Sequence, residues 1–246
     1  MFTAKDIIVK VIDSASSRKV VERYHYSGKC TQNSQIHFGV FLNEKLEGAL
    51  QFGPSIDKRR MAENLGIGFN EGLELNRMAL SDACPKNSES RVLGICLRML
   101  KKKYSHLRVI ISFADACQCG DGTIYKASGF KLHSFKKNTT LLKTPDNEIV
   151  ADKTFNNSII KKYKGFKKSD CSKVTGFQMK YLFFFDKELE KKFKFVDFDK
   201  IPKEVRMYKG LKRVELESKA TDFQLVESGA IPTSALHFTG SSNDEK

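Results

Sequence analysis

Hydrophobic positions along the chain fall into short runs of two periods. After Ser16 and Ser17, the segment RKVVERYHYS sets Val20, Val21 and Tyr24 on one face. That predicts a serine-capped helix ending near Ser27-Gly28. The runs IHFGVFL (Ile36–Leu42) and GALQFG (Gly48–Gly53) flank a polar NEKLE and predict an antiparallel hairpin. Residues 54–72, punctuated by Gly66, Gly68 and Gly72, predict a loop carrying Lys58-Arg59-Arg60. LELNRMAL (Leu73–Leu80) alternates as a strand with an irregularity near Asn76. A turn-rich SDACPKNSES leads into Arg91–Tyr104, where Val92, Cys96, Met99 and Leu100 share a face and the last turn is cationic. This is the pattern of an amphipathic helix with charges suited to its dipole.

RVIISFA (Arg108–Ala114) is a continuous β-prone run, as expected of a strand buried on both faces. GTIYKASGF (Gly122–Phe130) predicts a short helix stopped by Gly129. A hairpin turning at Thr144–Asn147 follows, then a Lys- and Asn-rich loop over 151–170. Lys180–Phe193 reads as a strand that continues into a basic helix. The unit from Leu73 to Ala114 is strand, helix, strand, and predicts a right-handed crossover. The fold class is therefore α/β in the α+β sense: a mixed, mainly antiparallel sheet flanked by helices, with one central crossover. Residues 1–213 form the expected domain. Residues 214–246 lack periodicity, and a disordered or loosely attached tail is expected there.

With 40% apolar and 29% charged residues the chain has the balance of a soluble globular protein. No apolar run approaches the roughly 18–20 residues that span a bilayer. Met1 to Lys10 carries no leader pattern, so no membrane role and a cytoplasmic setting are expected. Six cysteines in 246 residues are too few and too scattered for a disulfide framework. Cys117 and Cys119 form a C-x-C without a second pair at zinc spacing; reduced thiols and a metal or redox role both remain open.

Net charge is +14, unevenly distributed: +8 over residues 1–150, +10 over 151–213 and −4 over 214–246. A basic segment of that density fits a polyanionic partner such as nucleic acid, or simply a lysine-rich solvated face.

Two places suit chemistry. The loop Ser81–Ser90 enters a helix N-terminus, where unpaired N–H groups and the dipole favour phosphate; Asn87, Ser88 and Ser90 can cap it and Arg91 adds charge. An ordinary capped helix uses the same residues. Asp115 stands just past the C-terminal end of the Arg108–Ala114 strand, where ligands collect in open α/β sheets. Tyr125 follows ten residues later on the next helix. A tyrosine can act as general acid and a carboxylate can orient or deprotonate an amine. The same two residues can serve as a loop cap and a half-buried core aromatic.

GTIYKASGF resembles the Y-x-x-x-G-F helix of the GNAT acyltransferase superfamily, although KNSESRVLG lacks the glycine-rich phosphate loop usual there. The order of motifs is closer to the phage Mom family, GNAT-like DNA modification proteins of Mu-like phages and prophages. Its landmarks here are HYS (His25–Ser27), FGVFLNEKLEGALQFG (Phe38–Gly53), ELNRMALSD (Glu74–Asp82) with Asn87 and Ser90, SFAD (Ser112–Asp115) and GTIYKASGF. KYLFFF (Lys180–Phe185) and Ile201-Pro202-Lys203 resemble its closing strand and Pro-Lys segment. The resemblance covers about residues 15–205. Where relatives carry Gly-His, this chain has Gly120-Asp121.

The resemblance implies modification of the exocyclic amine of adenine in double-stranded DNA by a carbamoylmethyl-type group. It further implies protection from host restriction, a phage or prophage source, an acyl-CoA-like donor and a bacterial host cytoplasm. Asp115, Tyr125, His25, Tyr26 and Ser112 are the expected catalytic set. Glu74, Arg77, Asn87, Ser88, Ser90 and Arg91 are the expected donor-binding set. Lys58, Arg59, Arg60 and the lysines of 151–213, Lys161 and Lys162 among them, are expected on DNA phosphates. Tyr24, Tyr26 and Phe52 are candidates for stacking on the base, or for core packing. His25 can be a base or a satisfied helix-end residue; Glu74 and Arg77 can form a site or a structural ion pair; Ser112 can bond substrate or pack. A metal such as iron is compatible, with His25, His37, Asp115, Cys117 and Cys119 as ligand types and no spacing that selects a set. The alternatives are a GNAT N-acetyltransferase acting on a protein or small amine, and a non-catalytic nucleic-acid-binding protein on that scaffold.

Overall fold

The structure, a computed structural model, describes residues 2–116, 120–152, 155, 165–198, 208–209 and 212–213. Cys117, Cys119, Lys161, Lys162, the 201–203 segment and the tail from 214 lie outside the described residues.

Eight strands form one sheet. They are β1 (Ile8–Val11), β2 (Ile36–Leu42), β3 (Lys45–Gly53), β4 (Gly72–Leu80), β5 (Val109–Asp115), β6 (Lys131–Lys143), β7 (Ile149–Ala151) and β8 (Ser172–Phe184). Their spatial order is β1-β2-β3-β4-β5-β8-β6-β7. Every neighbouring pair is antiparallel except β4 and β5. The helices are α1 (Ser14–Tyr24), α2 (Lys58–Leu65), α3 (Ser88–Lys103), α4 (Thr123–Ala127) and α5 (Lys187–Glu190).

Strand alternation assigns the helices to faces. Leu50 and Phe52 of β3, Ile110 and Ala114 of β5 and Met179 and Tyr181 of β8 pack with Val92, Leu93, Cys96, Leu97 and Leu100 of α3. On the other face, Ala49 and Ala79 meet Val20 and Val21 of α1. Val109, Ile111, Leu182 and Phe184 meet Met61 and Leu65 of α2 on that same face. The strand β5 is thus buried on both sides, as its unbroken apolar run requires.

The structure departs from the sequence pattern at four places. The N-terminal strand β1, which the residue pattern does not predict, pairs Ile8–Val11 with Phe41–Phe38. The cap of α1 is Asp13, whose Oδ1 accepts the Ser16 N–H at 2.8 Å, rather than Ser16 or Ser17. The stretch expected to be a glycine loop holds α2: Asp57 caps it, Met61, Ala62 and Leu65 bury one stripe, and Gly66 closes it at φ 60°. All three glycines lie beyond this helix, so they mark its end and the following turn. The hairpin turn at Thr144–Asn147 is present, with Asn147 at φ 65°. The helix after β8 is one turn, Lys187–Glu190, shorter than its basic pattern suggests.

Candidate active site

Strands β4 and β5 pair over three rungs only: Gly72 with Val109, Leu73 with Ile110 and Glu74 with Ile111. Beyond them β5 keeps its ladder with β8 as far as Asp115 and Gln178. On its other side β4 carries a bulge against β3, where Gln51 pairs with Arg77 and Phe52 with Leu75, leaving Asn76 as the extra residue. A bulge bends the strand that carries it, and the two parallel strands part here. A cleft of about 610 Å³ opens between them, walled by β4 from Glu74 to Leu80, by Phe113 and Asp115, by the 120–122 loop and by Tyr125. Tyr24, His25 and Tyr26 from the end of α1, Glu89 from α3 and Gln178 from β8 complete it.

The segment 25–35 straps the α1 end of the cleft to β4. Arg77 donates from Nε to the Lys29 carbonyl at 2.9 Å and from Nη1 to the Asn76 carbonyl at 2.7 Å. Ser34 donates from its hydroxyl to Asn76 Oδ1 at 3.1 Å, and Asn33 Nδ2 to the Pro54 carbonyl at 2.5 Å. Gly53 is needed beneath this strap, since a Cβ there would stand 2.3 Å from the Asn33 carbonyl oxygen.

His25 ends α1, and the Ser27 N–H lies 3.1 Å from its Nδ1. Burial, and then the nearby Arg77 charge, push the imidazole pKa down to about 4. The ring is therefore neutral at pH 7, and because a backbone N–H can only donate, its proton sits on Nε2. The Ser27 hydroxyl also lies 2.8 Å from Nδ1, and in this tautomer His25 can offer Nε2–H to the cleft. Tyr26 stacks its ring 4.2 Å from His25 and is 57% exposed, a broad apolar face at the mouth.

Glu74 faces the cleft from β4. Burial raises its carboxyl above the usual range, partly offset by hydrogen bonds from Ser55 and Asn76 and by the Arg77 charge. Asp115 and Tyr125 both line the same cleft. The Tyr125 ring packs against Tyr181 at 5.2 Å and Phe130 at 5.6 Å, and its hydroxyl is 3.5 Å from the Phe113 carbonyl. Asp121 spends Oδ1 on the N–H and hydroxyl of Thr123 at 3.1 and 2.6 Å, and so starts α4.

The expected residues thus divide. His25, Tyr26, Glu74, Arg77, Asp115 and Tyr125 come together. Ser112 does not: it is fully buried on the α3 face of β5, and its hydroxyl has no hydrogen-bond partner among the described residues. Phe52 is buried edge-on to Phe38 at 5.9 Å, which leaves it no surface for a base. Glu74 and Arg77 are wall residues, Arg77 being held by carbonyls.

Around the start of α3, Asn87 adopts φ 68° and its side chain makes no cap. Ser88 is buried, with its N–H and hydroxyl turned back on the Pro85 carbonyl, and Ser90 donates to the Asn87 carbonyl at 3.3 Å. Asn87, Ser90 and Arg91 instead line a separate recess of about 520 Å³ with Lys5 and Arg98. Lys58, Arg59 and Arg60 occupy the first turn of α2.

Ser55, Asn33, Ser34 and Glu89 carry no signal in the sequence. Only the strand irregularity at Asn76 points to their neighbourhood. Among the described residues no group of three or more His, Cys, Asp or Glu side chains is placed to hold a metal ion. No described helix is long and apolar enough to cross a membrane.

Solved structures similar to this chain include the IAA acetyltransferase of Bacillus cereus, at 9% identity and TM-score 0.43, covering 72% of this chain and 99% of that one. A Bacillus subtilis acetyltransferase in complex with CoA matches at 8% identity and TM-score 0.43, over 73% and 99%. The ribosomal-protein-S18-alanine N-acetyltransferase of Escherichia coli matches at 10% and 0.42, over 72% and 92%. By sequence, the chain is 36% identical over 134 residues to the methylcarbamoylase mom of Escherichia phage Mu, covering 52% of this chain and 54% of that protein. Residues 6–203 match the Mom protein family across the whole of the sheet and the cleft, and the chain belongs to that family.

Proposed function

We propose that the protein modifies the exocyclic amine of adenine in double-stranded DNA, adding a carbamoylmethyl-type group that shields the DNA from host restriction. The carrying observation is one cleft that joins an exposed aromatic, Tyr26, to a half-buried carboxylate, Glu74, and to Asp115 and Tyr125. The phage Mu relative is named a methylcarbamoylase, a group of the same composition joined through its carbonyl carbon instead of its methylene, and it supports DNA modification by a group of that composition in general.

An adenine amine is conjugated and weakly nucleophilic, so it needs placement and proton removal. Tyr26 offers the face on which an extruded base stacks. Glu74, with its raised pKa, accepts a proton more readily than an ordinary carboxylate. His25 Nε2–H donates to an oxygen or ring nitrogen in the cleft, Asp115 orients the amine, and Tyr125 Oη holds a proton available to a leaving anion. Arg77 positions this set by fixing the 25–35 strap.

An acyl-CoA-type donor fits the chain's residues in two respects. The parted β4–β5 seam leaves room for a thioester arm, and Lys5, Arg91 and Arg98 gather three cations at a recess suited to phosphates. Such a donor would supply an activated acyl carbon, which joins an amine through a carbonyl; the methylene link of a carbamoylmethyl group needs chemistry beyond this simple acyl transfer. DNA binding draws on the +14 net charge. In this reading the gene is carried by a phage or prophage and the protein works in the host cytoplasm.

Expression beside a plasmid in a bacterial host, followed by nucleoside mass spectrometry of the plasmid, tests the proposal. A new modified deoxyadenosine is expected. Unmodified plasmid with soluble protein rejects it, and acetylated host protein or polyamine in its place favours an N-acetyltransferase.

A further inference from the structure

The most exposed large apolar side chain among the described residues stands on a turn rather than on a sheet edge. Ile56 is 94% exposed, whereas Tyr26, Ile8, Val11, Phe69 and Phe2 range from 57% down to 52%. It sits at the tip of the turn from β3 to α2, and both flanks of that turn are fixed. The Pro54 carbonyl accepts from Asn33 Nδ2, and Asp57 Oδ1 accepts the Arg60 N–H at 3.1 Å. Ser55, the residue before the tip, hydrogen-bonds the Glu74 carboxylate in the cleft wall. The tip is thus a rigid apolar point one residue from a contact with the reaction site.

Its surroundings specify the partner. Lys58, Arg59 and Arg60 fill the first turn of α2, at the positive end of the helix dipole, where cations gain nothing from the helix itself. Lys58 is steered by Asn70 Oδ1 at 2.6 Å and lies 4.2 Å over the Phe69 ring, itself half exposed. An apolar point followed, after Asp57, by three cations suits a polyanion with an apolar interior, which is the make-up of duplex DNA. Proteins that distort DNA insert such side chains between base steps, and enzymes that act on a base must first extrude it.

Resting on the adenine reading of the cleft, we infer that Ile56 is the wedge that enters the base stack beside the target and fills the gap left by the extruded adenine. The three cations of α2 hold the flanking phosphates, and Tyr26 receives the base on the cleft side.

The test uses the full chain on plasmid DNA. Permanganate oxidises unstacked thymines, so the thymine opposite an extruded adenine becomes reactive whatever the target sequence. Wild-type protein is expected to create reactive thymines and to modify the plasmid. Ile56→Ala is expected to lower both signals at least tenfold while DNA affinity changes less than threefold. Ile56→Leu is expected to restore them, and Val11→Ala, an exposed apolar residue on the edge strand β1, to leave them unchanged. Wild-type signals in Ile56→Ala overturn the wedge, as does an equal loss in Val11→Ala. Modification by wild type without any reactive thymine overturns the wedge alone. Neither modification nor reactive thymines overturns the adenine reading as well.

Discussion

The N–H of Ser27 donates to Nδ1 of His25 at 3.1 Å, and the Ser27 hydroxyl lies 2.8 Å from the same nitrogen, so both Ser27 contacts fall on one edge of the ring. With Nδ1 taken, the neutral ring presents Nε2–H. Because the folded pKa is lowered from 6.5 to about 4, the neutral form persists well below physiological pH. The unfolded chain binds this proton below 6.5, so the associated stability is complete above that value and is lost between about 6.5 and 4 as pH falls. His133, buried and beside Lys180, is likewise lowered to about 4 and adds to the same trend. Imidazole NMR titration is expected to show the His25 midpoint near the lower value. A midpoint near 6.5 would mean that burial and Arg77 do not hold the ring neutral.

Glu74 gives a second pH-dependent expectation. Its raised pKa places the acid limb of the modification rate above the ordinary glutamate range, with activity falling as the carboxylate protonates. Glu74→Gln is expected to cut the rate by about 10²-fold or more, in line with loss of a positioned base, and to leave DNA affinity nearly intact. An unchanged rate profile in that variant assigns the limb to another group.

Gly53→Ala tests the strap. Its new Cβ would meet the Asn33 carbonyl at 2.3 Å and Asn76 Oδ1 at 2.7 Å, both held by other contacts. A destabilisation of about 1–3 kcal/mol is expected from such overpacking, read as a lower urea midpoint, together with reduced modification. Wild-type stability and activity would mean that the strap yields freely.

Ser112→Ala separates burial from chemistry. The hydroxyl is enclosed and without a partner among the described residues, and removing an unsatisfied buried polar group is neutral or stabilising. The variant is expected to unfold at the same or higher urea concentration and to keep modifying DNA. Loss of modification with an intact fold would bring Ser112 into the reaction.

For the DNA face, replacing Lys58, Arg59 and Arg60 together by alanine is expected to flatten the salt dependence of DNA binding. If each side chain neutralises one phosphate, the slope of log affinity against log salt falls by about 2.7. An unchanged slope would place the phosphate contacts elsewhere on the chain.

Much of the fold is legible in residue order. The unbroken run of β5 and the alternation of β4 reveal the central strands because burial on two faces or one leaves a direct imprint on residue type. The bulge at Asn76 shows as a break in that alternation. What escapes depends on partners distant in sequence. Nothing in Ser55 says that it reaches Glu74, and nothing in Ser112 says that its hydroxyl faces the α3 side. The helix α2 is hidden because three cations in its first turn run against helix preference; only Asp57 and the Met61, Ala62, Leu65 stripe betray it. The donor state of His25 follows from Ser27, two residues away, and is within reach of the sequence only when the turn geometry is known.

The strap closes the site across long stretches of chain. Asn33 to Pro54 spans 21 residues, Ser34 to Asn76 spans 42, and Lys29 to Arg77 spans 48. Asp115 and Tyr125, in contrast, are ten residues apart. The two contacts that reach Asn76 and Arg77 need β4 in place beside the strap, and their loop-closure entropy must be met before they return anything. The His25-Tyr26 wall is therefore held in place by contacts that bring together segments 21 to 48 residues apart. Damage to the strap should show as a smaller share of competent molecules, with each competent molecule working at its normal rate.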